Sequence, residues 1–275
     1  MTRIGITGAT GHIGGMVARL LAGGPDELVL VVRDASRAPQ GPWQVRVTDG
    51  YGDPANREAL AGLDVLFMVS AAESADRLDQ HRAFIASAAA AGVSHVVYTS
   101  FLGAAPDAVF TLSRTHWATE QAIRASGMAF TFLRDSFYLD FLPEMAVDGV
   151  IAGPAGDGVV GAVAQADVAA SAAAVLTDPA RHAGLTYNLT GPQAISLAQV
   201  AETVTRLTGV PTSYRPQTVE EAYADRARYG VPDWQLDAWV STYTAIAAGE
   251  VAMVTDDVRA LTGREALSLS QLLTH

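Results

Sequence analysis

Gly8, Gly11 and Gly14 recur three residues apart between the apolar run Arg3-Ile4-Gly5-Ile6-Thr7 and the helix-like stretch beginning at Met16. Glycines at this spacing let a chain turn sharply and approach a diphosphate with no Cβ in the way. A helix that follows then aims its free N–H groups and positive dipole end at the anion. The stretch Gly8-Ala9-Thr10-Gly11-His12-Ile13-Gly14 therefore reads as a dinucleotide-binding turn. Its setting between strand and helix favours that over glycines that merely shape a turn.

The second apolar run ends Val31-Val32-Arg33-Asp34. It lies about twenty residues on, where folds that take NAD place a carboxylate on the ribose hydroxyls. Arg33 stands there instead. A guanidinium pairs bidentately with a 2′-phosphate, and Arg37 is near enough to assist. NADPH is the expected cofactor and NADH the less favoured one. A shift of one residue, putting Asp34 on the ribose, reverses that preference. Ligands in such sheets sit outside the carboxyl ends of the strands, so Asp49, the small residues Ser70, Ala71 and Ala72, and Tyr98-Thr99-Ser100 are expected to line the same crevice.

All 18 basic residues are arginine. With no lysine, a Tyr/Lys proton-donating dyad, a Schiff base and a P-loop lysine are excluded. Cysteine is absent too, which removes disulfides, thiolate metal sites and thiol nucleophiles. His81, His95 and His182 have no ligand partner at metal spacing, so no metal is expected.

Strand-like runs alternate with alanine-rich helical segments through the first half, the pattern of a doubly wound parallel α/β sheet. Strands are predicted at Arg3 to Thr7, Glu27 to Val32, Gln44 to Val47, Val65 to Val69, Val96 to Ser100 and Phe130 to Arg134. Helices are predicted around Gly14 to Ala22, Pro54 to Leu60, Asp76 to Ala91 and Thr115 to Ser126. Further along come a glycine-rich stretch, Gly149 to Gly161, a helix over Asp167 to Leu176, a strand at Thr186 to Leu189 and a helix over Leu197 to Thr208. Packed helices are expected within Val219 to Ala248. The division expected is a Rossmann domain over 1–155, completed by about 156–190, and a smaller C-terminal α/β lobe over 191–275 that covers the substrate.

Hydrophobic residues make up 49% of the chain and charged residues 17%, so the whole chain is expected to fold. A net charge of −11 with no basic cluster repels nucleic acid and anionic lipid. Met1-Thr2-Arg3 leads straight into a strand, and no apolar run approaches a membrane span. The expectation is a cytoplasmic protein with no membrane or nucleic-acid partner; the sequence admits a homodimer.

Thr7-Gly8-Ala9-Thr10-Gly11, Val32-Arg33, Tyr98-Thr99-Ser100, His116-Trp117-Ala118-Thr119-Glu120, Thr131-Phe132-Leu133-Arg134, Gly156-Asp157-Gly158 and Ala166-Asp167 together resemble the NmrA-like branch of the atypical short-chain dehydrogenases. Within it they are similar to the bacterial NADPH-dependent quinone reductases and triphenylmethane dye reductases, over nearly the whole chain. The resemblance implies NADPH held by Gly8 to Ile13, Arg33 and Ser70 to Ala72, with the nicotinamide bordered by Asp135-Ser136-Phe137-Tyr138. Similar members commonly carry Asn where Asp135 stands; a carboxylate there changes the contact to the carboxamide or repels an anionic substrate. Phe137, Tyr138 and Phe141 would offer an aromatic wall for a flat acceptor, with core packing as the alternative.

Where the resembled family's relatives in general carry the dyad, this chain has Thr115 to Glu120. Hydride transfer to an electrophilic quinone or conjugated aromatic acceptor needs less acid help, so such a small aromatic acceptor is the expected substrate. His116, placed by resemblance above the nicotinamide, is the candidate proton donor, against a helix-start histidine with a satisfied hydrogen bond. Ser100 is the second candidate. The competing readings are a non-catalytic NADP(H)-binding redox sensor of NmrA type and a sugar-nucleotide epimerase or reductase, the latter weakened by the missing dyad.

Overall fold

The computed structural model describes residues 1–274. Apolar runs bounded by glycine or charged residues become β1 (Arg3–Thr7), β2 (Glu27–Val32), β3 (Gln44–Val47), β4 (Val65–Met68), β5 (His95–Phe101) and β6 (Ala129–Asp135). Between them lie α1 (His12–Leu21), α2 (Asn56–Ala59), α3 (Arg77–Ala90) and α4 (Thr111–Ala125). The chain continues through β7 (Ala146–Val147), β8 (Val150–Gly153), β9 (Val159–Val160), α5 (Gln165–Thr177), β10 (Thr186–Leu189), β11 (Ile195–Ser196) and α6 (Leu197–Thr208). It ends in β12 (Ser213–Pro216), α7 (Val219–Ala227), α8 (Asp233–Ala247), α9 (Asp257–Thr262) and α10 (Leu269–Leu272).

Seven strands form a parallel sheet in the order β10-β6-β5-β4-β1-β2-β3. The chain winds outward from β1 through β2 to β3, then returns to β4 on the other side of β1. That reversal opens a crevice at the carboxyl ends of β1 and β4, the usual ligand site of doubly wound sheets.

The chain divides into two compact units that interleave along the sequence instead of meeting at one boundary near 155–190. The first comprises 1–100, 115–134 and 168–187; the second comprises 101–114, 135–167 and 188–275. The first is cored by Val29, Leu66, Phe84, Val96, Tyr98, Ile123 and Phe132. In the second, β8 pairs with β12 in parallel and β7 in antiparallel, and Ile151, Leu197, Val200 and Ile246 supply its core. Among the described residues no helix is long and apolar enough to cross a membrane.

Two helices differ from the sequence expectation, one for a local reason and one for a long-range one. The one predicted over Pro54 to Leu60 is the single turn α2. Asp53 Oδ1 accepts the Ala55 amide at 2.8 Å, an Asx turn that competes with helix, and the buried Asn56 amide donates back to the Gly50 carbonyl at 2.7 Å. The helix predicted from Thr115 starts four residues earlier, at Thr111. Glu250, 141 residues away from Val109, takes the amides of Val109 and Phe110 ahead of it.

Candidate active site

Gly8 closes the turn at φ +64, in the left-handed region, and its carbonyl accepts the Gly11 amide at 2.9 Å. A Cβ on Gly14 would lie 2.5 Å from the Gly8 oxygen and 2.6 Å from the Thr7 oxygen, both backbone atoms that cannot yield. Only glycine therefore lets α1 start against the end of β1. The N-cap, Gly11, offers no side-chain cap and the first turn has no acid, so the positive dipole end of α1 is not offset by a carboxylate of its own.

The turn opens on a cleft of about 360 Å³ within the first unit. Gly8, Thr10, Arg33, Asp49, Ser70, Ala71 and Ala72 all line it. Ala9, Ile13 and Gly14 are buried behind the turn, and Gly11 and His12 are exposed at the helix start. Thr99 sits one layer down, its hydroxyl accepting the Ser70 amide at 2.9 Å. The wall also includes Thr7, Thr48, Tyr51, Ser74 and Gln80, which the sequence reading missed. Thr7 was within reach of that reading as the residue before Gly8 at a strand end. Tyr51 and Gln80 come from a loop and a helix with no motif to mark them.

Arg33 and Asp34 part company at the end of β2. Arg33 lines the cleft, and among the described residues no carboxylate lies within ion-pair distance of it. Asp34 Oδ1 instead accepts the Ser36 hydroxyl at 2.7 Å and the Ser36 amide at 2.9 Å, capping a short turn at Ala35–Arg37. Those bonds, the hydroxyl first, hold its carboxyl below the ordinary range. The glycine cradle, the open helix end and this unneutralised guanidinium fit a phosphorylated dinucleotide.

Behind the cleft wall runs a buried polar network. Thr7 Oγ1 lies 2.6 Å from the Tyr51 hydroxyl, which donates to the Val69 carbonyl at 2.5 Å, and Tyr51 stacks on Phe84 at 4.0 Å. The Ala71 amide donates to His81 Nε2 at 2.9 Å, while His81 Nδ1 lies 2.9 Å from Thr119 Oγ1. Thr119 donates its own proton to the Thr115 carbonyl, so His81 carries its hydrogen on Nδ1 and is neutral. Burial, then the Arg77 charge, pulls it from the ordinary 6.5 to about 3.

His116 is 7% exposed and held the same way. Arg77 donates to its Nε2 at 3.1 Å, which leaves the hydrogen on Nδ1, 3.0 Å from the Tyr98 hydroxyl. Burial, then Arg77, drives its pKa well below the ordinary imidazole value. Burial pushes the Tyr51 and Tyr98 phenols upward. Ser100 donates to Glu120 Oε1 at 2.6 Å. Glu120, 0% exposed, is gripped bidentately by Arg134 at 2.8 and 2.6 Å. The two expected proton-handling residues, His116 and Ser100, are thus both tied into the wall of the first unit.

The second unit holds Asp135, Ser136, Phe137, Tyr138 and Phe141. Phe137 packs edge-on against Phe101 and Phe110, each with centroids 5.0 Å away, as part of a core. Phe141 is 53% exposed and lines a separate cavity of about 590 Å³ with Tyr229, Trp239 and Tyr243. Asp135 is 3% exposed; its Oδ2 accepts the Tyr138 hydroxyl at 2.6 Å, while Oδ1 has no hydrogen-bond partner. The Ser136 hydroxyl beside it, 2% exposed, has none either. Burial raises the Asp135 carboxyl from 3.8 to about 7, against the lowering effect of Tyr138. Among the described residues no group of three or more histidines and carboxylates is placed to hold a metal ion.

Residues 8–179 match the NAD(P)H-binding family. Quinone oxidoreductase 2 of Escherichia coli is 33% identical over 99% of this chain and 98% of its own length. The NAD(P)H azoreductase of Xenophilus azovorans is 33% identical over 97% of this chain and 95% of its own. The crystal structure of the E. coli NADPH-dependent quinone oxidoreductase complexed with NADPH superposes with a TM-score of 0.89 at 32% identity, covering 99% of each chain.

Proposed function

Because this chain belongs to the NAD(P)H-binding family, we propose that it is an NADPH-dependent reductase that delivers hydride directly to a quinone-like or conjugated aromatic acceptor. One observation carries the cofactor half of this reading: Arg33 faces the cleft with its charge unneutralised while Asp34 is spent on a turn. A 2′-phosphate supplies the missing anion, and a plain ribose does not.

The cofactor, when bound, supplies the hydride and its electron pair. The chain's own part is to hold and orient. Gly8 to Gly14 and the amides of α1 would cradle the diphosphate, Arg33 would grip the adenosine side, and Ser70 to Ala72 leave room for ribose and phosphate. The unpartnered Asp135 Oδ1 and Ser136 Oγ suit a primary carboxamide, one accepting from its NH₂ and the other donating to its oxygen. An acceptor that needs no strongly polarised carbonyl is supported by the absent lysine and by the locked state of Tyr98, His116 and Ser100. The relatives named quinone oxidoreductase and azoreductase support the same acceptor class.

The test is NADPH oxidation across a panel of small quinones, azo compounds and cationic dyes. Turnover with at least one class is expected. NADPH binding with no turnover on any of them would favour the redox-sensor reading instead.

A further inference from the structure

Past the end of β4 the chain leaves the sheet and runs along the cleft of the first unit, where Val69, Ser70, Ala71 and Ala72 form part of the lining. Side chains from four separate elements take up its backbone groups. The Val69 amide donates to Thr7 Oγ1, at the end of β1, at 2.9 Å, and the Val69 carbonyl accepts the hydroxyl of Tyr51, from the loop after β3. The Ser70 amide donates to Thr99 Oγ1 on β5 and the Ala71 amide to His81 Nε2 on α3, each at 2.9 Å. A segment tied in this way keeps its place only while those side chains keep theirs.

We infer that Tyr51 is a positioning residue for NADPH, its hydroxyl fixing the Val69 carbonyl and, through it, the spacing between the phosphate turn and the Ser70 to Ala72 wall. The inference rests on the cofactor reading of this cleft. Val69 packs against the turn itself: a Cβ on Gly8 would lie 3.0 Å from the Val69 Cβ and 3.2 Å from each of its methyl carbons. A shift of Val69 toward the turn therefore presses on Gly8, and a shift away drags Ser70 with it. The Tyr51 oxygen also lies 2.6 Å from Thr7 Oγ1, next to Gly8 in the chain. One hydroxyl thus ties together the ends of β1 and β4, the two strands between which the winding of the sheet reverses and ligands of such folds bind.

Tyr51 is held firmly enough to serve as that tie. Its ring stacks on the fully buried Phe84 of α3 with the planes 13° apart, and the buried Asn56 amide donates to the Tyr51 carbonyl at 3.1 Å. Burial pushes the phenol pKa upward, so the hydroxyl keeps its hydrogen through the neutral range. Tyr51 also lines the cleft, but its oxygen is spent on Thr7 and Val69, so its removal acts on the cofactor through the wall. Thr99 and His81, both buried, do the same for the next two amides.

The experiment measures NADPH binding by calorimetry and amide hydrogen exchange by NMR for wild type, Tyr51→Phe and Thr99→Val. Tyr51→Phe keeps the ring on Phe84 and removes the donor to Val69; Thr99→Val keeps the side-chain shape and removes the acceptor of Ser70. Each should weaken NADPH roughly 10-fold. The amides of Val69, Ser70 and Ala71 should exchange faster than in wild type, while those of Ile4, Ile6 and Val97 in the sheet keep wild-type rates. Variants that bind NADPH as tightly as wild type overturn the inference, whatever they lose in stability. So does weaker binding with unchanged exchange at Val69 to Ala71, which would make the hydroxyl a direct contact, and so does faster exchange spread evenly over the sheet, which is general destabilisation. A folded wild type that binds no NADPH contradicts the cofactor reading, and this inference with it.

Discussion

Burial moves the ionisable groups of the two units to different places on the pH scale. In the first, Tyr51, His81, Tyr98, Ser100, His116 and Glu120 each meet a partner, and burial moves the histidines and phenols away from neutrality. In the second, Asp135 and Ser136 keep unpartnered buried atoms, and the carboxyl sits close to neutrality. A satisfied network fixes a shape and a buried polar atom without a partner costs stability; the first unit has such atoms too, at Asn56 Oδ1, Arg77 Nε and Ser171 Oγ. The difference lies in where the groups titrate: those of the first unit are held away from neutral pH, and the Asp135 carboxyl lies near it.

The largest effect that could break the comparison is expected at Glu120. Glu120→Ala leaves Arg134 without its anion and Ser100 without its acceptor, and should cost about 3–5 kcal/mol in denaturant unfolding. A loss below about 1 kcal/mol would mean the network is not what holds the first unit. Next comes acid stability. His81 takes no proton in the folded state until about pH 3, whereas the unfolded chain takes one near 6.5, so stability should fall as pH drops through that window. By pH 4 the contribution is on the order of 3 kcal/mol. His81→Gln, which cannot ionise, should flatten that part of the profile, and an unchanged acid limb would contradict the assignment.

Asp135 should show the opposite sign. Its folded pKa is raised, so the stability it contributes is present below about pH 4 and lost as pH climbs toward 7. Above pH 7, Asp135→Asn should therefore be more stable than wild type by roughly 1–3 kcal/mol, a gain that shrinks as the solution is acidified. A variant less stable at pH 8 would show that the carboxylate is better solvated than its partners suggest.

The local parts of this molecule were legible in the sequence and the long-range parts were not. β1, β2, β3, β10 and α6 begin and end where the apolar runs, glycines and caps predict. The phosphate turn is equally local, since spacing alone puts Gly8 and Gly14 against one another. β7, β9 and β11 are two-residue pairings, and β8 lies in a stretch whose glycines mask its strand character. The wall behind the cleft escaped for another reason. Arg77 reaches His116 across 39 positions, and Ser100 reaches Glu120 across 20. Neither pairing has a motif, so His116 and Ser100 read as available when they are engaged. Asp135 was singled out through the family resemblance, but its ionisation depends on burial, which no spacing reveals.

The central claim is that the cleft of the first unit recognises a phosphorylated dinucleotide through Arg33, and calorimetry with NADPH and NADH on wild type and Arg33→Ala tests it directly. Wild type should bind NADPH more tightly, and the substitution should weaken NADPH by roughly 1.5–3 kcal/mol, about 10- to 150-fold, with little change for NADH. Equal losses for the two nucleotides, or binding of neither by the folded wild type, would contradict it.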